Sequence, residues 1–224
     1  MTTARKPRKG PPAARARGRL TLGRSALIAL VVLVAAILAD TTYRSDDAPR
    51  AGETQEFDPA AYGAATYGPK VVPAIQEKAV DIATLQKAIA DDPEEAGEQY
   101  GNRAGTGAYS YAVSLTGTAG EAEGGLLPID VPGTGDARVS VQIGPAVNGT
   151  ALRDAVGFIE FGQFTNQVEY ADAGTALNEQ VKAKVLASVD AAALKGEQVA
   201  VVGAMAPLTA DVFTVTPVSI EAAP

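Results

Sequence analysis

A guanidinium, a carboxylate and three side-chain amides crowd one stretch of this chain: Arg153, Asp154, Asn166, Gln167 and Asn178. Arginine offers five donors in a planar fork that suits a carboxylate, a phosphate or the hydroxyls of a sugar. Carboxylates and amides complement vicinal hydroxyls, and Phe158, Phe161, Phe164 and Tyr170 lie in the same stretch to supply an aromatic face. These five polar residues are therefore the candidate binding set for a small sugar-like ligand. A structural use of the same residues competes with that reading. Arg153 and Asp154 can pin a loop to a helix, Asn166 and Gln167 can cap a helix beginning near Tyr170, and the aromatics can be core. Asn148-Gly149-Thr150 fits a glycosylation acceptor and a turn equally well.

Catalytic chemistry has little to work with. The chain has no His and no Cys, which removes the usual general base, the thiol nucleophile and the imidazole metal ligand. A two-carboxylate glycosidase is the remaining enzymatic alternative, with Asp154, Glu160 or Glu169 as acid and base. Zero Trp is unusual for a polysaccharide cleft. No acidic run has the spacing of a calcium loop, and the glycines over 101–107 and 117–125 lack the spacing of a nucleotide fingerprint. The expectation is no enzyme, no cofactor and no metal.

The elements that would position these residues follow from hydrophobic period. Ile75, Ala79, Ile82, Leu85 and Ile89 recur at helical spacing, so helices are predicted over 67–101. Asp81 can cap a restart, and Asp92-Pro93-Glu94-Glu95 supplies a cap, a first-turn proline and first-turn acids. After Gly107 the period becomes two. Tyr109, Tyr111, Val113 and Leu115 alternate with Ser110, Ala112 and Ser114, which predicts a half-buried strand. Leu127–Val131 and Val139–Ile143 predict two more, and Phe158–Phe161 a short extended piece. Ala173, Leu177, Val181 and Val185 step by four as a helix does, and Val199–Met205 and Val212–Ile220 close the chain as strands. Pro217 marks an edge or bulge in the last one. Three strands, a helix and two strands is the order of an OB-like five-stranded barrel over 108–221. The fold class is thus α+β, with a short helical segment ahead of the barrel.

Ahead of that body the charge distribution is lopsided. Residues 1–24 hold eight Lys/Arg and no Asp or Glu, and 25–39 are uncharged and mostly apolar. Such a pattern predicts a basic cytoplasmic tail and a single transmembrane helix that serves as anchor, reaching the needed length if Arg24 snorkels. A cleaved secretory signal is the alternative. Polar residues over 40–65 predict a flexible linker, leaving 66–224 as the extracytoplasmic domain. The chain beyond residue 39 carries all 26 acidic residues and 11 of the 19 basic ones, a formal charge of about −15. Nucleic acid, which wants a basic groove, is not expected as a partner.

Three motifs carry a family resemblance. They are Tyr67-Gly-Pro-Lys-Val-Val-Pro-Ala-Ile-Gln-Glu-Lys-Ala-Val-Asp81, Ile143-Gly-Pro-Ala-Val-Asn-Gly-Thr-Ala-Leu-Arg-Asp154, and Phe161-Gly-Gln-Phe-Thr-Asn-Gln-Val-Glu-Tyr-Ala171. Together they resemble the predicted periplasmic lipoproteins grouped as domain of unknown function 2291, from about Phe57 to Ile220. The resemblance implies an extracytoplasmic, membrane-attached protein associated with ABC-class sugar importers. The importer or its binding protein then becomes the expected partner. This chain lacks the lipidated cysteine of many relatives, so attachment falls to the helix. Two functions follow: a membrane-anchored binding or accessory module for sugar uptake, or an envelope-interaction module without a small-molecule site.

Overall fold

The computed structural model describes residues 30–31, 56–207 and 209–223. The expected tail, most of the expected span at 25–39 and the expected linker up to residue 55 lie outside the described residues. Among the described residues no helix is long and apolar enough to cross a membrane.

The folded unit begins with α1 (Pro59–Thr66), which Asp58 caps by accepting from the Ala61 amide at 3.0 Å. The linker expected over 40–65 therefore stops short of 65. Small residues and the Asp-Pro start let this turn pack closely on a later helix, which an apolar count misses. A π-helical stretch, Tyr67–Val71, leads into α2 (Val72–Lys78). Pro69 and Pro73 have no N–H to give to the preceding turn, and the chain widens so that the Val72 amide bonds Tyr67 instead. The helical run breaks at the two-residue strand β1 (Val80–Asp81) and restarts as α3 (Ile82–Asp91) and α4 (Pro93–Tyr100). Asp81 and Asp92 cap these two helices, as expected: Asp81 accepts from Thr84, Asp92 from Glu94 and Glu95. A three-residue strand, β2 (Gly101–Arg103), follows.

The barrel consists of β3 (Tyr109–Ala119), β4 (Leu126–Asp130), β5 (Arg138–Gln142), β6 (Gln198–Met205) and β7 (Val212–Ala222). Between β5 and β6 come α5 (Ala151–Ala155), a 3-10 turn Phe161–Gln163, and α6 (Gln167–Lys184). Another 3-10 turn, Leu186–Ser188, and the short α7 (Ala191–Leu194) complete the connection. Strand β3 pairs with β4 at one end and with β6 along Tyr111–Thr118. Strand β4 pairs with β5, β5 runs parallel to β7, and β7 returns antiparallel to β6. That circuit closes the sheet and removes its edges, the solution an OB barrel uses. Gly117 lies where β3 crosses β4: a Cβ there would meet the Asp130 carbonyl oxygen at 2.3 Å. The expected bulge falls at Pro217, where pairing shifts from Val202–Ser219 to Gly203–Pro217 and leaves Val218 extra.

Two cores explain one departure from the alternation. Tyr111, Val113 and Leu115 fill the barrel together with Leu127, Val141, Phe213 and the plug residues Ile82 and Leu85. The intervening Ala112, with Ala204 and Val218, faces outward into a second core built by Tyr67, Val71, Ile75, Leu152, Leu177 and Val181. The strand expected to be half-buried is consequently buried on both faces over Ser110–Val113. Small outward residues permit the helices to lie directly on the barrel wall. The extended piece expected at Phe158–Phe161 is not a strand either. Ile159 enters the second core, Phe161 starts the 3-10 turn, and the Gln163 amide binds the Phe158 carbonyl at 2.8 Å.

Candidate functional site

The second and third motifs meet through Arg153. Helix α5 buries this side chain, and Tyr170 arrives from the first turn of α6. Arg153 Nε donates to Asp154 Oδ1 at 2.7 Å, and Nη1 donates to the Tyr170 carbonyl at 2.9 Å. Its guanidinium carbon lies 3.6 Å from the centroid of the Tyr170 ring, a stacked cation–π contact. Asp154 also accepts from the Thr150 hydroxyl at 2.6 Å and the Tyr170 hydroxyl at 3.3 Å. Burial raises the Tyr170 phenol above its usual pKa, while the guanidinium on its ring pulls the other way.

Beyond α5 the chain is turned by groups from elsewhere. Asn102 Nδ2 donates to the Ala155 carbonyl at 2.6 Å, and Lys78 Nζ to the Val156 carbonyl at 2.7 Å. These bonds satisfy the last carbonyls of the short helix. Gly157 then takes a φ of +76°, and a Cβ there would run into the Asn102 side-chain amide. The next helix is capped reciprocally. Asn166 Oδ1 accepts from the Val168 and Glu169 amides at 2.9 and 3.0 Å, and Glu169 Oε2 accepts from the Thr165 amide at 2.9 Å.

These constraints leave a cleft of about 540 Å³. Asn102 to Gly105 form one wall, Ile159 to Gly162 the other, with Asp154, Gln167 and Tyr170 between them. Arg103 is held on its wall by Glu94 at 3.1 Å and lies 4.3 Å from the Tyr109 ring centroid. Phe161 leaves 49% of its surface exposed. The cleft thus offers two carboxylates, two amides, a guanidinium and an aromatic face, a set that can hydrogen-bond and stack on a polar ring. Among the described residues no group of three or more carboxylates converges as a metal cage would.

Of the five residues proposed from sequence, the structure brings Asp154 and Gln167 to the cleft. Arg153 sits behind Asp154 as a pin, and Asn166 is a helix cap. Asn178 is buried elsewhere, donating to the Gly149 carbonyl at 2.8 Å and so holding the loop of the second motif. Their structural readings describe these three. Asn102, Arg103 and the turn to Gly105 were not among the candidates. The one available signal was an Asn-Arg pair inside a glycine-bounded turn.

A closed five-stranded barrel with a helix between its third and fourth strands, flanked by a helical layer, defines an α+β protein of the OB class. The fold is similar to the crystal structure of an OB-fold protein from Thermotoga maritima. That protein shares 16% identity with this chain, has a TM-score of 0.63, and is covered completely by 75% of it. At that identity the likeness speaks to fold alone. The profile of the predicted periplasmic lipoprotein family, DUF2291, matches residues 27–221. The chain belongs to that family, one predicted to be extracytoplasmic and membrane-anchored. No curated protein matches it.

Proposed function

We propose that this protein is a membrane-held extracytoplasmic binding module whose cleft takes a small polyhydroxylated solute, in the service of an ABC-type sugar importer. In this reading a single N-terminal span at 25–39 holds it, with the basic tail in the cytoplasm. The importer link rests on the family resemblance; the ligand class rests on the cleft. The observation that carries the proposal is the convergence of Asn102, Arg103, Asp154, Glu160 and Gln167 on one open cavity beside the exposed ring of Phe161. Planar amides and carboxylates around an aromatic face are what vicinal hydroxyls and a sugar ring require.

Binding fits these residues better than hydrolysis. Of the three carboxylates that could serve a glycosidase, Glu169 is committed to the helix cap, and Asp154 accepts three side-chain hydrogen bonds. Nucleic acid fits poorly. The outward positions of β4 and β5 include Pro128, Asp130, Arg138 and Ser140, which give no stacking ring.

A thermal-shift screen of monosaccharides and polyols tests the proposal. A solute present at a hundred times its Kd adds about 2.7 kcal/mol, a rise of roughly 5–10 °C for a domain of this size. Glu160→Gln and Gln167→Ala should abolish that shift while leaving the unliganded melting temperature unchanged. A screen with no positive solute would favour the envelope-interaction module, and a shift that survives both substitutions would place binding elsewhere.

A further inference from the structure

Five described residues of the folded unit are large, apolar and exposed, and three of them share one short segment: Phe158, Phe161 and Val168. The other two, Leu126 and Val212, start separate barrel strands. The segment is compact, not splayed. Gln163 closes onto the Phe158 carbonyl, Phe164 onto that of Phe161, and Thr165 onto the Glu169 carboxylate. The chain also enters the folded unit beside it, because Phe57 packs edge-on against Phe164 with 5.4 Å between centroids. Rigid backbone under exposed apolar side chains is the make-up of a docking surface, since little order is lost on contact.

The charge around it selects the occupant. From Arg153 to Lys182 there are five acidic residues (Asp154, Glu160, Glu169, Asp172 and Glu179) against two cations. Arg153 is paired with Asp154 and Lys182 with Glu179, which leaves Glu160, Glu169 and Asp172 without a cationic partner in the segment. On the described chain leading past Phe57, Glu56 and Asp58 add two more acids, with no cation before Lys70. An anionic lipid surface is repelled by such a rim. A small solute has no use for Phe158 and Val168, neither of which lines the cleft. We propose that the Phe158–Val168 lip docks a protein partner whose contact segment sets Lys or Arg around an apolar side chain. Phe158 and Val168 supply the apolar contact, and Glu160 the charge complement. Phe158 and Val168 lie outside the solute cleft although Glu160 and Phe161 line it, so adducts from positions 158 and 168 report on docking apart from solute binding.

Photo-crosslinking of the full chain in intact cells tests it. Benzoylphenylalanine replaces Phe158 in one strain, Val168 in a second, and the exposed Asp91 of α3 in a third. The expected result is one shared protein adduct from positions 158 and 168 and none from 91, with a cross-linked peptide that is net basic and contains apolar residues. Introducing Glu160→Lys should then reduce the adduct at least several-fold. The proposal is overturned by adducts to lipid, by adducts to a second copy of this chain, by an acidic contact peptide, by no adduct at all, or by indifference to Glu160→Lys.

Discussion

The Arg153 guanidinium holds Tyr170 twice, through its backbone carbonyl at 2.9 Å and through its ring face at 3.6 Å. One side chain thereby ties α5, at the end of the second motif, to α6, which begins in the third. Because Asp154 neutralises it from the next position, the charge is buried without being orphaned. Removing it leaves the Tyr170 carbonyl without its donor and the Asp154 carboxylate without its counter-charge, held by the Thr150 and Tyr170 hydroxyls alone.

Arg153→Ala should accordingly cost about 3–5 kcal/mol, read as a fall in the thermal unfolding midpoint of roughly 10 °C. Arg153→Lys keeps the charge but loses the fork and the flat stack, and should recover less than half of that. A loss below about 0.5 kcal/mol would mean that the guanidinium is not holding the two helices together.

Tyr67 opens the first motif and has its hydroxyl buried with no hydrogen-bond partner among the described residues. Burial pushes its pKa up to about 12. The folded state therefore keeps this proton where the unfolded chain, titrating near its ordinary 10, gives it up. The contribution is complete below pH 10 and is lost between pH 10 and about 12, at about 1.4 kcal/mol per pH unit. Tyr67→Phe removes an unsatisfied hydroxyl, so stability at pH 7 should hold or rise by about 1 kcal/mol. The loss between pH 10 and 12 should become shallower. Urea titrations of both proteins at pH 8, 10 and 11.5 give the comparison, and an unchanged alkaline slope would refute the assignment.

Gly157 turns the chain into the cleft wall at φ +76°, where a Cβ would lie 2.7 Å from Asn102 Oδ1. Gly157→Ala meets both a disfavoured backbone and a clash, and should cost about 2–3 kcal/mol. Asn102→Ala should cost about 1–2 kcal/mol, since the Ala155 carbonyl loses its donor. With Asn102 shortened, part of the Gly157→Ala penalty disappears, so the double variant should be less damaged than the two losses added together. Strict additivity in chemical denaturation would show that the two residues do not constrain each other.

Much of the barrel was legible because its strands obey period two and its glycine turns separate them cleanly. The helix between the third and fourth strands was legible because Ala173, Leu177 and Val181 repeat at a spacing the core enforces. The helix at Pro59 was hidden by its alanines and glycine, which pack closely without looking apolar enough. Three of the five candidate residues lie away from the cleft lining for another reason. Sequence proximity grouped Arg153, Asn166 and Asn178 with Asp154 and Gln167, yet the first three spend their polar atoms on local carbonyls, carboxylates and amides. Residues 102–105 reach the cleft from some fifty positions away, through β2 pairing with β3, and no local pattern announces a juxtaposition of that kind.

Because the chain contains no cysteine, a single introduced thiol reports on one place alone. Gly162 lines the cleft and has open space where a side chain would go. The decisive measurement is the rate at which a membrane-impermeant maleimide labels Gly162→Cys in intact spheroplasts, with and without the solute found by thermal shift. An extracytoplasmic cleft that binds that solute predicts labelling without lysis, slowed several-fold by the solute. Labelling only after lysis, or at a rate the solute leaves untouched, would contradict it.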